Sequence, residues 1–132
     1  MRVHEIRGIQ VNVAEKLAAA GLKTAEVLLE AGRTPAGRKE LAAKVGVDES
    51  EILGLVNRAD LARVRGIGEV YSNLLELAGV DTMAELARRN ATNLHAALIE
   101  QTQTGDARRA PTMAQVEDWV AQARNLGRGI EY

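Results

Sequence analysis

At 132 residues, with a formal net charge of −1 and a pI near 6.1, the chain has the size of one compact domain and no global pull toward nucleic acid or anionic lipid. Apolar residues make up 46% but aromatics only 2%, so the core must be built from Leu, Val, Ile and Ala on closely approaching helices. The lack of cysteine excludes disulfides and thiolate chemistry, and no apolar N-terminal run marks a secretory signal or membrane span, so a cytoplasmic protein with no membrane partner is expected.

In chain order, "RVHEI" near the N-terminus is a candidate short extended segment, followed by a turn at Arg7-Gly8-Ile9-Gln10. Gly21, Gly32, Gly46 and Gly79 each follow a Leu, Ala or Val run, where a left-handed helix C-cap falls. Thr34-Pro35 starts a helix with proline at its first position, where the missing N–H costs nothing. Capping boxes are predicted at Asp48-x-x-Glu51, Thr82-x-x-Glu85 and Thr112-x-x-Gln115. Behind the first and last of these, Ile52-Leu55-Val56-Ala59 and Val116-Trp119-Val120-Ala123 repeat at i, i+3, i+4, i+7, the spacing of a buried helical stripe. Nothing alternates like a sheet, and "GIEY" at the C-terminus is the other candidate extended segment. The predicted class is all-α.

The chain also repeats itself. At an offset of 58, Ile6-Arg7-Gly8-Ile9 aligns with Val64-Arg65-Gly66-Ile67, Leu17 with Leu75, Gly21 with Gly79 and Thr24 with Thr82. The offset then drifts to 57 and 64, which makes Gln101–Pro111 an insertion in the second copy. Two copies that each leave an apolar face uncovered predict one domain over residues 1–132, with repeat one at 1–58, repeat two at 59–126 and a short tail at 127–132. Arg-Gly-Ile stands a third time at Arg128-Gly129-Ile130, behind the Val116–Ala123 stripe. That stripe is expected to close against the N-terminal turn, whose leading helix is missing. Closure within one chain, giving a monomer, is favoured over a head-to-tail assembly.

The stretch "LARVRGIGEVYSNLLELAG" reads as a helix ending in Leu61 and Val64, a two-glycine turn around Ile67, and a second helix carrying Tyr71, Leu74 and Leu75. Gly66 and Gly68 are expected to reverse the chain through backbone angles other residues resist, and Ile67 to drop between the helices. The turn leaves unpaired N–H groups at the start of the second helix, a place for an anion. This pattern resembles the helix-hairpin-helix motif. Through "AEKLAAAGLKTAEVLLEAG", "GRKELAAKVGV", "LVNRADLARVRGIGEVYSNLLELAGVDTMAELARRN", "NLHAAL" and "QVEDWV", nearly the whole chain resembles a bacterial family of domains of unknown function with tandem helix-hairpin-helix units. The resemblance implies an all-helical pair of pseudo-symmetric units with a binding role, and it brings no catalytic residue. Gln10 stands where the second glycine would be, so the first turn (Arg7, Gly8, Ile9, Gln10) reads as degenerate.

The candidate binding site is therefore Arg63, Arg65, Gly66, Ile67 and Gly68. In DNA-gripping members of the motif, main-chain N–H groups meet phosphate and a basic residue on the second helix adds a contact; here that helix, from Glu69 to Glu76, has none. Affinity for DNA rises with the phosphates neutralised, so a protein partner is favoured over weak, sequence-independent contact with a nucleic-acid backbone. No catalytic group, cofactor or metal is predicted. His4 and His95 have no Cys or H-E-x-x-H spacing around them, Ser50 and Ser72 lie in no nucleophile elbow, and Glu117 and Asp118 point to different helix faces. Tyr71 and Trp119 read as core. Arg88-Arg89 and Arg108-Arg109 are candidates for a partner's acidic surface.

Overall fold

Helix signals dominate the sequence, and the computed structural model, which describes residues 1–102 and 110–132, is all-helical. Among the described residues there are eight α-helices and no strand, and no helix is long and apolar enough to cross a membrane. Two compact units divide the chain: Met1–Asp60 with Gly129–Tyr132, and Leu61–Arg128.

The first unit starts with a 3-10 turn at Val3–Glu5, then α1 (Val11–Ala19), α2 (Ala25–Ala31), α3 (Pro35–Val45) and α4 (Glu49–Leu61), whose last residue already belongs to the second unit. "RVHEI" is thus not extended. Val3 and Ile6 are both buried, and one tight turn puts residues three apart on the same side, which an extended segment cannot do. Only Arg2 forms a bridge, antiparallel to Thr24. The core joins Val3, Ile6, Val13, Leu17, Leu28, Leu41, Val45 and the α4 stripe Ile52, Leu55, Val56 and Ala59. α3 packs against both α1 and α2.

"GIEY" completes this unit. Ile130 is buried in the same core, Glu131 N–H donates to Arg33 O at 2.7 Å, and Tyr132 Oη donates to Asn57 Oδ1 at 2.8 Å. Two buried charged side chains hold the segment. Gly129 N–H donates to both Asp60 carboxylate oxygens, at 3.0 and 3.1 Å. Arg38 donates to Glu131 O at 2.8 Å and to Gly32 O and Arg33 O, at the end of α2.

The second unit holds α5 (Glu69–Leu77), α6 (Met83–Arg88), α7 (Ala91–Thr102) and α8 (Met113–Leu126). α8 packs on α6 and α7, and α5 on α7. Here the Val116–Ala123 stripe departs from expectation. It is buried with Leu61, Val64, Ile67, Leu74 and Leu75 of its own unit rather than closed against the N-terminal turn. The first unit needs no such cover because α4, which follows its turn, already supplies the stripe and the tail supplies Ile130.

Helix starts follow the predicted threonines Thr34, Thr82 and Thr112, and Thr24 begins α2 in the same way: each accepts an N–H from the residue three further on. Of these four, Thr112–Gln115 is the reciprocal box: Glu85 turns away from Thr82 toward Arg88 (2.8 Å) and Arg89 (2.9 Å), because two guanidiniums attract its carboxylate more than one amide does. Gly21, Gly46 and Gly79 have positive φ as expected, but Gly32 has φ −99°. Its glycine is a matter of space, since a Cβ there would stand 2.5 Å from Val56 Cγ2. Arg108 and Arg109, with most of the Gln101–Pro111 insertion, lie outside the described residues.

Candidate functional site

The Arg65–Gly68 turn is built from main-chain bonds and one polar clamp. Val64 N–H donates to Leu61 O (3.1 Å) and Ile67 N–H to Val64 O (3.3 Å), and α5 begins when Ser72 N–H donates to Gly68 O (2.9 Å). Ile67 is 5% exposed, so it fills the core as its apolar side chain demands. Gly66 has φ +99°, and a Cβ on it would stand 2.9 Å from Trp119 Nε1; Trp119 in turn lies against Tyr71, ring centroids 5.0 Å apart. Gln122 on α8 holds the Arg65 peptide from both ends, accepting its N–H at 2.8 Å and donating to its O at 3.0 Å.

Gly68 differs from expectation. Its φ of −97° and ψ of −165° are extended backbone open to any residue, and a Cβ there would meet nothing within 4 Å. Only one glycine of the pair is demanded by the turn itself. The same fact restores the first turn, where Gly8 has φ +77°, Ile9 N–H donates to Ile6 O (3.2 Å), and Gln10 takes the helix-start position with φ −75°. Gln10 therefore leaves the backbone turn intact.

Charge around the two turns is also redistributed. Arg63 donates to Gly127 O at 3.0 Å, ending α8, and Arg65 remains exposed. Beyond Gly68 the first α5 residue is Glu69, and Gly68 has no side chain to bond the orphan N–H groups. At the first turn, a Cβ on Gly8 would stand 3.7 Å from Arg58 Nη1, which lays a guanidinium from α4 over that glycine. This residue, like Gln122, Arg38 and Asp60, is invisible to local pattern reading because its role depends on a distant segment.

A concavity of about 410 Å³ opens on the first unit, lined by Val3, Ile9, Val11, Ala14 and Ala18 with Arg2, His4, Glu15 and Lys23. Val11, on its α1 wall, is 74% exposed. Nearby, the Glu26 carboxyl sits below its ordinary value chiefly because its own main-chain N–H bonds to it, with the Met1 ammonium at 3.3 Å adding to the effect. Arg89 first and Arg88 second lower the Glu85 carboxyl. Both arginines of that predicted pair therefore engage a neighbour on their own helix side. His95 Nε2 bonds Pro111 O at 3.0 Å, and among the described residues no cluster of His, Asp or Glu could hold a metal.

No curated protein and no solved structure matches the chain. The sequence profile described as domain of unknown function DUF4332 matches residues 7–126, which take in both turns and all eight helices, and the chain belongs to that family.

Proposed function

We propose that the chain is a non-enzymatic helix-hairpin-helix recognition module whose partner is a protein, bound at the α1 groove of the first unit. The observation that carries this reading is the groove itself. It has the volume of a recognition pocket, Val3, Ile9, Val11, Ala14 and Ala18 form an aliphatic part of its lining beside four polar or charged residues, and Val11 stands 74% exposed. The second turn supports a phosphate site less well, since Arg63 is committed to Gly127 O and a carboxylate, Glu69, opens α5. Few cations remain there to displace counterions.

The test is capture from lysate by purified full-length protein, wild type against Val11→Asp, with bound protein and bound nucleic acid both measured. Captured protein that disappears with Val11→Asp, while helicity is unchanged, is the expected result; an A260 excess indifferent to Val11 would overturn it. The competing reading rests on the α5 start, where Gly68 lacks a capping side chain and a Cβ on it would meet nothing within 4 Å. On that reading a duplex oligonucleotide binds with a shallow salt slope, of about one or two phosphates, and Gly68→Val weakens it without changing stability.

A further inference from the structure

The repeat sets the groove helix α1 and helix α5 side by side for comparison. At the offset of 58, α1 and α5 are equivalent nine-residue helices, yet Val11, Ala14, Ala18 and Lys23 of the first stand where the second copy has Glu69, Ser72, Glu76 and Asp81. One face has become aliphatic with a basic border, and its counterpart has become acidic. On α5, Val70 and Leu77 are exposed at 56% and 49%, seven residues apart and so on one line, with Glu69 and Glu76 forming a parallel line next to them. The groove offers a matching apolar line in Val11 and Ala18, also seven apart, and its lining includes Arg2 and Lys23, which belong to the two segments joined at the Arg2–Thr24 bridge. Seven residues of helix rise about 10 Å, so the two apolar lines agree in length as well as in chemistry.

Resting on the reading of the groove as a protein-binding site, we infer that its occupant is α5 of a second copy of this chain. Val70 and Leu77 of one copy cover Val11 and Ala18 of the other, and Glu69 and Glu76 face Arg2 and Lys23. Glu15 is the one acid among the lining residues, between Val11 and Ala18 on α1. A joint between different surfaces is heterologous, so each added copy presents a fresh groove and a fresh α5, and assembly proceeds head to tail into rings or open chains. The contact is small, at the weak end of specific interfaces and below about 1,200 Å² in total, so association depends on concentration and salt.

The experiment is sedimentation of the full chain over a wide concentration range, with Val11→Asp blocking the groove and Val70→Lys blocking α5. Both sites are exposed, and circular dichroism checks that helicity is kept. Wild type is expected to rise above the 14.2 kDa chain mass with concentration, and each variant alone to stay at that mass, with self-association weakened about tenfold or more. An equal mixture of the two variants is expected to form a capped dimer, because each supplies the surface the other lacks. Wild type at the chain mass at every concentration, or a mixture that stays monomeric, overturns the inference. Monomeric wild type whose lysate partner is still lost with Val11→Asp would overturn self-assembly alone. A monomer that captures nothing would sink the groove reading with it.

Discussion

Gly66 and Gly68 look interchangeable in the sequence and carry opposite constraints in the fold. At Gly66 the positive φ and the indole beneath it act together, so Gly66→Ala is expected to cost more than about 1 kcal/mol, the strain term alone being of that size. Gly68→Ala meets open space at an ordinary backbone angle and is expected to stay within about 0.5 kcal/mol of wild type. Urea titrations of the two variants check this: equal midpoints would mean that the turn is not held as described. Trp119, 1% exposed under Gly66 and beside Tyr71, is expected to cost about 3 to 5 kcal/mol when cut to alanine, read in the same titration.

Among the elements, the C-terminal segment contributes through a single core side chain and the polar bonds that place it. Ile130→Ala is expected to destabilise by about 2 to 5 kcal/mol, and because Ile130 shares a core with Ile6 and Val13, amide exchange across residues 6–13 should speed up when Gly127–Tyr132 are removed. Unchanged exchange there would separate the tail from the N-terminal turn. α6 carries a pH dependence of known sign. Since Arg89 and Arg88 hold the Glu85 carboxyl below its usual 4.5, the stability it contributes is fully present above that value and is lost as pH falls through the lowered one. Glu85→Gln should therefore narrow the gap to wild type only in strong acid, a difference visible in thermal melts between pH 7 and pH 2. With the carboxylate exposed to water, the effect is small.

For the whole molecule, connectivity decides what can fold alone. The last four residues of the first unit arrive only after Leu61–Arg128, so that unit is not a contiguous piece of chain. Met1–Asn57 expressed by itself lacks Ala59 and Ile130 from its core, leaves Arg38 without Glu131, and has no Asp60. Such a fragment should show no sharp thermal transition, and a cooperative melt would show that the tail is dispensable. In the full chain a folded second unit keeps the tail near its slot, which reduces the chain entropy lost when the slot is filled.

Much of this was legible from local rules. Helix starts at Thr34, Thr82 and Thr112, the stops at Gly21, Gly46 and Gly79, and the buried stripes of α4 and α8 follow from backbone bonding and 3.6-residue periodicity, which act over a few neighbouring residues. The all-α class and the two turns came with them. What only the tertiary structure decided were the pairings over long separations: Asp60 with Gly129, Arg38 with Glu131, Gln122 with the Arg65 peptide, Arg58 over Gly8, and the destination of the α8 stripe. A stripe announces that it will be buried but not by what, and a lone Arg or Gln reads as surface until a distant carbonyl reaches it. The α1 groove belongs to the same class, because concavity is a property of neighbours in space and Val11, Arg2 and Lys23 meet only once the chain has folded back on itself.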